Sequence, residues 1–150
     1  MFSPDTRVSP GLLLAAYALY IEHSLSQPNP PPALCDVTLP LLSVEASCSK
    51  TLGSPESHLL SYWGISPPGT LLDPPNAAIG VVYYCILLLP HSPATLVKSL
   101  TVLSLLTSAY LLSVLVGKGD VCLLCLSSHA VNAAIGWRVF VGGRGKEKSR

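Results

Sequence analysis

Between Lys98 and Lys118 the chain reads KSLTVLSLLTSAYLLSVLVGK, and the 19 residues between the two lysines carry no formal charge. A helix of that length, at about 1.5 Å per residue, crosses the roughly 30 Å hydrocarbon core of a bilayer. The stretch therefore reads as a transmembrane helix, and its neighbours have to be fitted around it. Pro74–Pro90, containing AAIGVVYYCILLL, and Val121–Trp137, containing CLLCLSSHAVNAAIGW, are each 17 residues without formal charge. A shorter apolar stretch, Val8–Ile21, ends at Glu22 and His23. Those two residues either end the span near an interface or turn toward protein or water.

Composition agrees with this reading. Only 11% of the 150 residues are charged, 49% are apolar, and the mean hydropathy is +0.51. A water-soluble enzyme of this size needs a more polar surface, so much of the exterior faces lipid. The apolar share excludes a disordered chain. A net charge of +1, with cations gathered at the C-terminal end, offers no field for nucleic acid.

The predicted architecture is an all-α membrane protein. It is a single domain over 1–150, a four-transmembrane-helix bundle with helices at 9–25, 76–90, 96–117 and 121–140. A loop over 26–75 caps the bundle, and 141–150 form a tail. No internal repeat and no second soluble domain is present. Ser9 and Pro10 suit the cap and first turn of a lasting first helix. The alternative is a cleaved signal peptide, with Arg7 before a short apolar run and Ser24-Leu25-Ser26 as the cleavage site. Four spans put both termini on one side, and Arg138, Arg144, Lys146, Lys148 and Arg150 make that side cytosolic. The cap loop is then luminal or extracellular. It carries Asp36, Glu45, Glu56 and Asp73 against Lys50 alone, and eight prolines between Ser26 and Asp73 bar one continuous helix. HLLSYWG, His58–Gly64, reads as a half-helix lying over the bundle.

Five cysteines, at 35, 48, 85, 122 and 125, make two possible pairs and one remainder. Asp120 reads as the N-cap of the fourth helix, with Cys122 and Cys125 in its first turn and a half. Residues three apart share a face, and the amide dipoles there favour the thiolate that acts in disulfide exchange. A single CxxC without a second ligand pair is a poor zinc site, so no metal is expected. His129 and Asn132 continue the same face deeper into the helix. Asn76, Gly80, Tyr83 and Leu87 form a matching face on the second helix, where the Asn76 amide can hydrogen-bond a carbonyl oxygen. An apolar cleft with a few polar anchors suits a lipid-soluble ring compound. Cys35 and Cys48 can bond to each other or exchange with the second pair. Cys85, in mid-span, reads as a small buried apolar residue.

AYALY, ALCD, SCSK, Trp63-Gly64, NAAIG followed by YYC, and DVCLLC followed by two serines and HAVN, in that order, resemble the vitamin K epoxide reductase family over about residues 12–140. The resemblance implies a four-helix bundle of the endoplasmic reticulum membrane with a luminal cap. Such a protein uses thiols to reduce a quinone or its epoxide. It has no tightly bound cofactor, the vitamin K class quinone being substrate, and membrane lipid and a thioredoxin-fold protein dithiol in the lumen are its other partners. It further implies Cys122 and Cys125 as the catalytic pair, with Cys125 meeting the ring. Cys35 and Cys48 become an electron relay in which Cys48 exchanges with Cys122. Asn76 donates a hydrogen bond to one ring oxygen, and Trp63, Gly64, Tyr83 and Tyr84 wall the ring and its tail.

Three departures from the family pattern stand out. His129 occupies the position of a Tyr beside the second ring oxygen, which bears on the balance of quinone against epoxide and on coumarin sensitivity. The relay cysteines are further apart, lengthening the loop over Leu39–Ala46. Leu52 replaces an aromatic cap residue. Lys146 and Lys148 form a KxKxx arrangement like a dilysine retrieval signal. The expected activity is reduction of vitamin K 2,3-epoxide and quinone. Two alternatives stand beside it: a quinone-dependent oxidase that makes disulfides in secretory thiols, and a nonenzymatic tetraspan scaffold stapled by a luminal disulfide.

Overall fold

A computed structural model describes residues 8–39 and 44–142 of the chain. Arg7, Pro40 and the tail residues Arg144, Lys146, Lys148 and Arg150 lie outside the described residues, and so does the loop tip between Leu39 and Val44.

Four long helices carry the structure: α1 (Val8–Leu25), α4 (Asn76–Leu88), α5 (Ala94–Lys118) and α6 (Leu123–Trp137). A turn of π-helix, Arg138–Gly142, extends α6. Between α1 and α4 lies the cap. It comprises β1 (Val37–Leu39), β2 (Val44–Ala46), α2 (Cys48–Leu52), a 3-10 turn (Pro55–Ser57) and α3 (Leu59–Tyr62). The strands pair antiparallel, Val37 opposite Ala46 and Leu39 opposite Val44.

α1 packs against α4 and α6, and α5 against α6. The α1–α4 contact is close because small residues meet there. Gly80 backs onto Ala15, and a Cβ at Gly11 would fall within the Tyr84 ring. Small residues at a helix interface let backbones approach, as packing between apolar helices requires. On α5 the buried residues are Val97, Thr101, Ser108 and Leu115. Val102, Leu106, Leu112 and Val116 of the same helix are exposed on the outside of the bundle. α5 ends where Gly119 takes the left-handed conformation (φ 68°), and the Asp120 amide donates back to the Leu115 carbonyl.

The structure corrects the sequence reading at several points. α5, 25 residues long, is the one described helix both long and apolar enough to cross a membrane by itself. α4 has 13 residues and stops at Leu88, because Pro90 disfavours helix in the residue before it. The cap contains a two-stranded sheet and three short helical turns where a single half-helix was expected. Cys85 is exposed, since it sits on the face of α4 turned away from α1.

Candidate functional site

Two cysteine pairs are close enough to bond: Cys35 with Cys48 (Cα–Cα 5.8 Å) and Cys122 with Cys125 (5.2 Å). Each owes its place to local chain chemistry. Cys48 opens α2, which Ser47 caps by accepting a hydrogen bond from the Lys50 amide. Asp36, next to Cys35, gathers the start of that helix. Its carboxylate accepts from the Ser49 amide (3.0 Å), the Ala33 amide (3.2 Å) and the hydroxyls of Ser47 and Ser49. Burial pushes the Asp36 carboxyl up, but the bonds from Ser49 and from the amides of Ala33 and Cys48 outweigh it and hold it below the ordinary Asp range. In the sequence Asp36 reads only as one of the acids of the cap loop and as part of ALCD, not as an anchor for α2. Its signal was an acid beside one cysteine and a Ser-Cys-Ser around the other.

Cys122, not Asp120, is the N-cap of α6, and its sulfur accepts from the Cys125 amide at 3.2 Å. Asp120 is drawn away to Lys50, whose Nζ lies 2.5 Å from its carboxylate. That ion pair belongs to a seam joining the cap to α6. Ala46 forms a parallel β-bridge with Val121, and the Ser47 amide donates to the Val121 carbonyl at 2.9 Å. The seam brings the relay segment onto the start of α6. Cys48 and Cys122 are both fully buried, at 0% exposure, in one cluster with Ala18, Ile21, Leu115 and Leu124. Cys35 and Cys125 lie at the edge of that cluster.

Cys125 opens onto a cavity of about 410 Å³, within the range of ligand pockets. α1, α4, α5 and α6 wall it and the cap covers it. Asn76, Tyr83, Tyr84, His129, Trp63 and Leu52 all line it. Gly64 does not; at φ 70° it serves the left-handed turn that ends α3. Trp63 stacks edge-to-face on Tyr110, with centroids 5.2 Å apart, and donates its indole N–H to the Tyr110 hydroxyl. Asn76 holds the cap on α4. Its carbonyl oxygen accepts from the Leu59 amide (3.2 Å) and its NH₂ donates to the Glu56 carbonyl (2.7 Å). Tyr84 donates to the Asn132 carbonyl oxygen (2.7 Å), and Asn132 in turn donates to the Ser108 hydroxyl (2.9 Å). That chain fixes the polar atoms of Asn132 inside the bundle. The Nδ1 of His129 is buried without a hydrogen-bond partner among the described residues.

One further ion pair fastens the cap to the bundle, and a second cluster closes the cap on itself. Glu56 pairs with Lys118 at the end of α5 (2.7 Å). The hydrogen bond from Lys118 holds its carboxyl below the ordinary Glu range despite partial burial. Asp73 accepts from the amides of Ser61 (3.1 Å) and Gly69 (3.4 Å), and His58 lies beside it. Desolvation raises the Asp73 carboxyl, and these bonds and the His58 ring more than reverse it.

A cysteine pair with one sulfur buried and the other at the mouth of an apolar cavity, and a second pair docked against it, can pass two electrons from an outside dithiol to an oily acceptor. The class so defined is a thiol-dependent quinone oxidoreductase. A sequence model described as the Vitamin K epoxide reductase family matches residues 9–140, and the chain belongs to that family. Members act on quinones with thiol redox partners and are membrane-associated.

Proposed function

We propose that the chain reduces vitamin K 2,3-epoxide to the quinone and the quinone to the hydroquinone, drawing electrons from a thioredoxin-fold protein dithiol. In this reading it sits in the endoplasmic reticulum membrane. α1, α4, α5 and α6 cross the bilayer, the cap is luminal and both termini are cytosolic. The apolar exterior of α5 supports the membrane setting, and the two disulfide pairs suit an oxidising lumen.

The partner dithiol reduces Cys35–Cys48. The Cys48 thiolate attacks the Cys122 sulfur, and the electron pair of the broken disulfide leaves on Cys125 as a thiolate. Cys35 then recaptures Cys48 and releases Cys122 as a thiol. Cys125 adds to the ring, while an N–H of Asn76 beyond its bond to Glu56 and the imidazole of His129 stabilise the oxyanion that forms. Cys122 attacks Cys125, restoring the disulfide and leaving two electrons on the ring. With the quinone, two protons arrive on the ring oxygens; with the epoxide, the bridging oxygen departs as water.

The observation that carries the proposal is the seam of Ala46–Val121, Ser47–Val121 and Lys50–Asp120, which sets Cys48 and Cys122 in one buried cluster beside the cavity. In microsomes holding the protein, dithiothreitol-dependent loss of the epoxide is expected to vanish in Cys122→Ala and in Cys125→Ala. Unchanged turnover in either variant refutes the assignment.

A further inference from the structure

Ala15, Ala18 and Glu22 stand at i, i+3 and i+7 on α1, and all three line the cavity. The two alanines let α4 and α6 come close; the glutamate does something else. Both of its carboxylate oxygens are shut off from solvent, and neither has a hydrogen-bond partner among the described residues. The flanking residues behave conventionally: Ile21 is buried among the cysteines, and His23 is exposed. Burying a carboxylate without a partner is costly, and an ionisable group held within a membrane bundle characteristically marks a proton path. Two other acids reach this cavity, but Glu56 is engaged by Lys118 and Asp120 by Lys50. Glu22 is the acid left facing the space without a counterion.

Depth on the helix adds to the argument. Ala18 and Ile21 pack in the cluster that holds Cys48 and Cys122, with Leu25 and Cys125 against it. Glu22 therefore lies level with the reacting sulfurs rather than at the far end of the pocket. Quinone reduction there must deliver two protons as well as two electrons, in a space whose other two carboxylates are both held in ion pairs.

We infer that Glu22 carries protons between the thiols and the ring oxygens during quinone reduction. The inference rests on the reading of the chain as a quinone reductase. As Cys125 adds to the ring, Glu22 gives its proton to the ring oxygen that becomes negative. When Cys122 attacks Cys125, the proton of the Cys122 thiol passes to the Glu22 carboxylate. The proton lost by Cys125 on becoming a thiolate reaches the second ring oxygen. Dithiol and quinone thus become disulfide and hydroquinone, with two electrons and two protons moved. The other titratable groups facing this space are Tyr83 and Tyr84 from α4, Cys125 and His129 from α6, Lys118 from α5, and Glu56 and Asp120 from the cap and seam.

The test uses the purified full chain, reduced with dithiothreitol and then mixed with phylloquinone in single turnover across pH. Wild type is expected to show a rate that falls as pH rises, once the carrier stays ionised. Glu22→Gln should slow the quinone step on the order of 100-fold and abolish that falling limb, while reduction of the Cys122–Cys125 disulfide by dithiothreitol keeps its rate. A structural role would disturb both steps. An unaltered quinone step in Glu22→Gln overturns the inference, and so does loss of the falling limb in His129→Gln. If Glu22→Gln loses both rates, Glu22→Asp decides, since it keeps an acid: a pH-independent quinone step there is fatal, and a retained falling limb supports the carrier. If wild type itself reduces no quinone, the parent reading fails, and the inference with it.

Discussion

Removing the Asp36 carboxylate should slow electron transfer between the two cysteine pairs without touching either pair. Asp36→Ala deprives the Ser49 and Ala33 amides and the Ser47 and Ser49 hydroxyls of their common acceptor. Those bonds hold the residues on both sides of Cys48 against the segment that carries Cys35. A hydrogen bond to a charged group contributes about 1.5–3 kcal/mol, and partial solvent access at Asp36 reduces the set of four to about 2 kcal/mol in all. At about 1.4 kcal/mol per tenfold, the docked arrangement of Cys48 becomes roughly 30 times less favoured. The assay reduces Cys35–Cys48, stops exchange by alkylation at intervals, and reads the redox state of Cys122 and Cys125 by mass. The rate should fall by roughly that factor. The sign with pH follows from the depressed titration of Asp36. Its contribution is complete above the unfolded Asp value of about 3.9 and is lost as pH falls through the folded value. Transfer at the wild-type rate in Asp36→Ala would show that the carboxylate does not hold the relay in position.

Glu56→Gln should lower the melting temperature of the protein in detergent at neutral pH. Because the Glu56 carboxyl is held below its ordinary range, the gap from wild type should close as pH falls through its folded value; a gap that persists in acid contradicts the Glu56–Lys118 fastening. Gly11→Val sets a side chain into the Tyr84 ring and should destabilise the α1–α4 contact by about 1–3 kcal/mol, read as a melting shift; a neutral result contradicts the close packing there. His129→Tyr should raise the ratio of epoxide to quinone reduction while leaving the reduction of Cys122–Cys125 by dithiothreitol unchanged. An unaltered ratio removes His129 from the ring oxygen, and a wild type that turns over quinone but no epoxide favours the disulfide-forming oxidase.

How far this arrangement can be read from the chain depends on the range of the interactions. The helices follow from hydropathy, a property of single segments, so α1, α4, α5 and α6 fall close to their expected positions. Cysteine spacing is equally local, and it singles out the two pairs. The cap is different. Strands of three residues have too little alternation to be recognised, and β2 owes its position to Val121, far along the chain. Asp120 is by local chemistry a good N-cap, yet Lys50, 70 residues away, claims it, and the cap passes to Cys122. Asn76 suits a ligand by composition, but the Glu56 carbonyl and Leu59 amide engage both ends of its amide. For Glu22 two outcomes were open, an interface or the protein interior; only the packing of α1 against α4 and α6 turns it into the cavity.

The most direct test is disulfide mapping by mass spectrometry in Cys125→Ser, where Cys122, deprived of its partner, attacks the Cys48 sulfur of the Cys35–Cys48 bond and releases Cys35. A Cys48–Cys122 bond should accumulate, with Cys35 as a free thiol. If Cys122 stays a thiol while Cys35–Cys48 remains closed under every dithiol poise, the two pairs do not exchange, and the electron route from lumen to quinone is wrong.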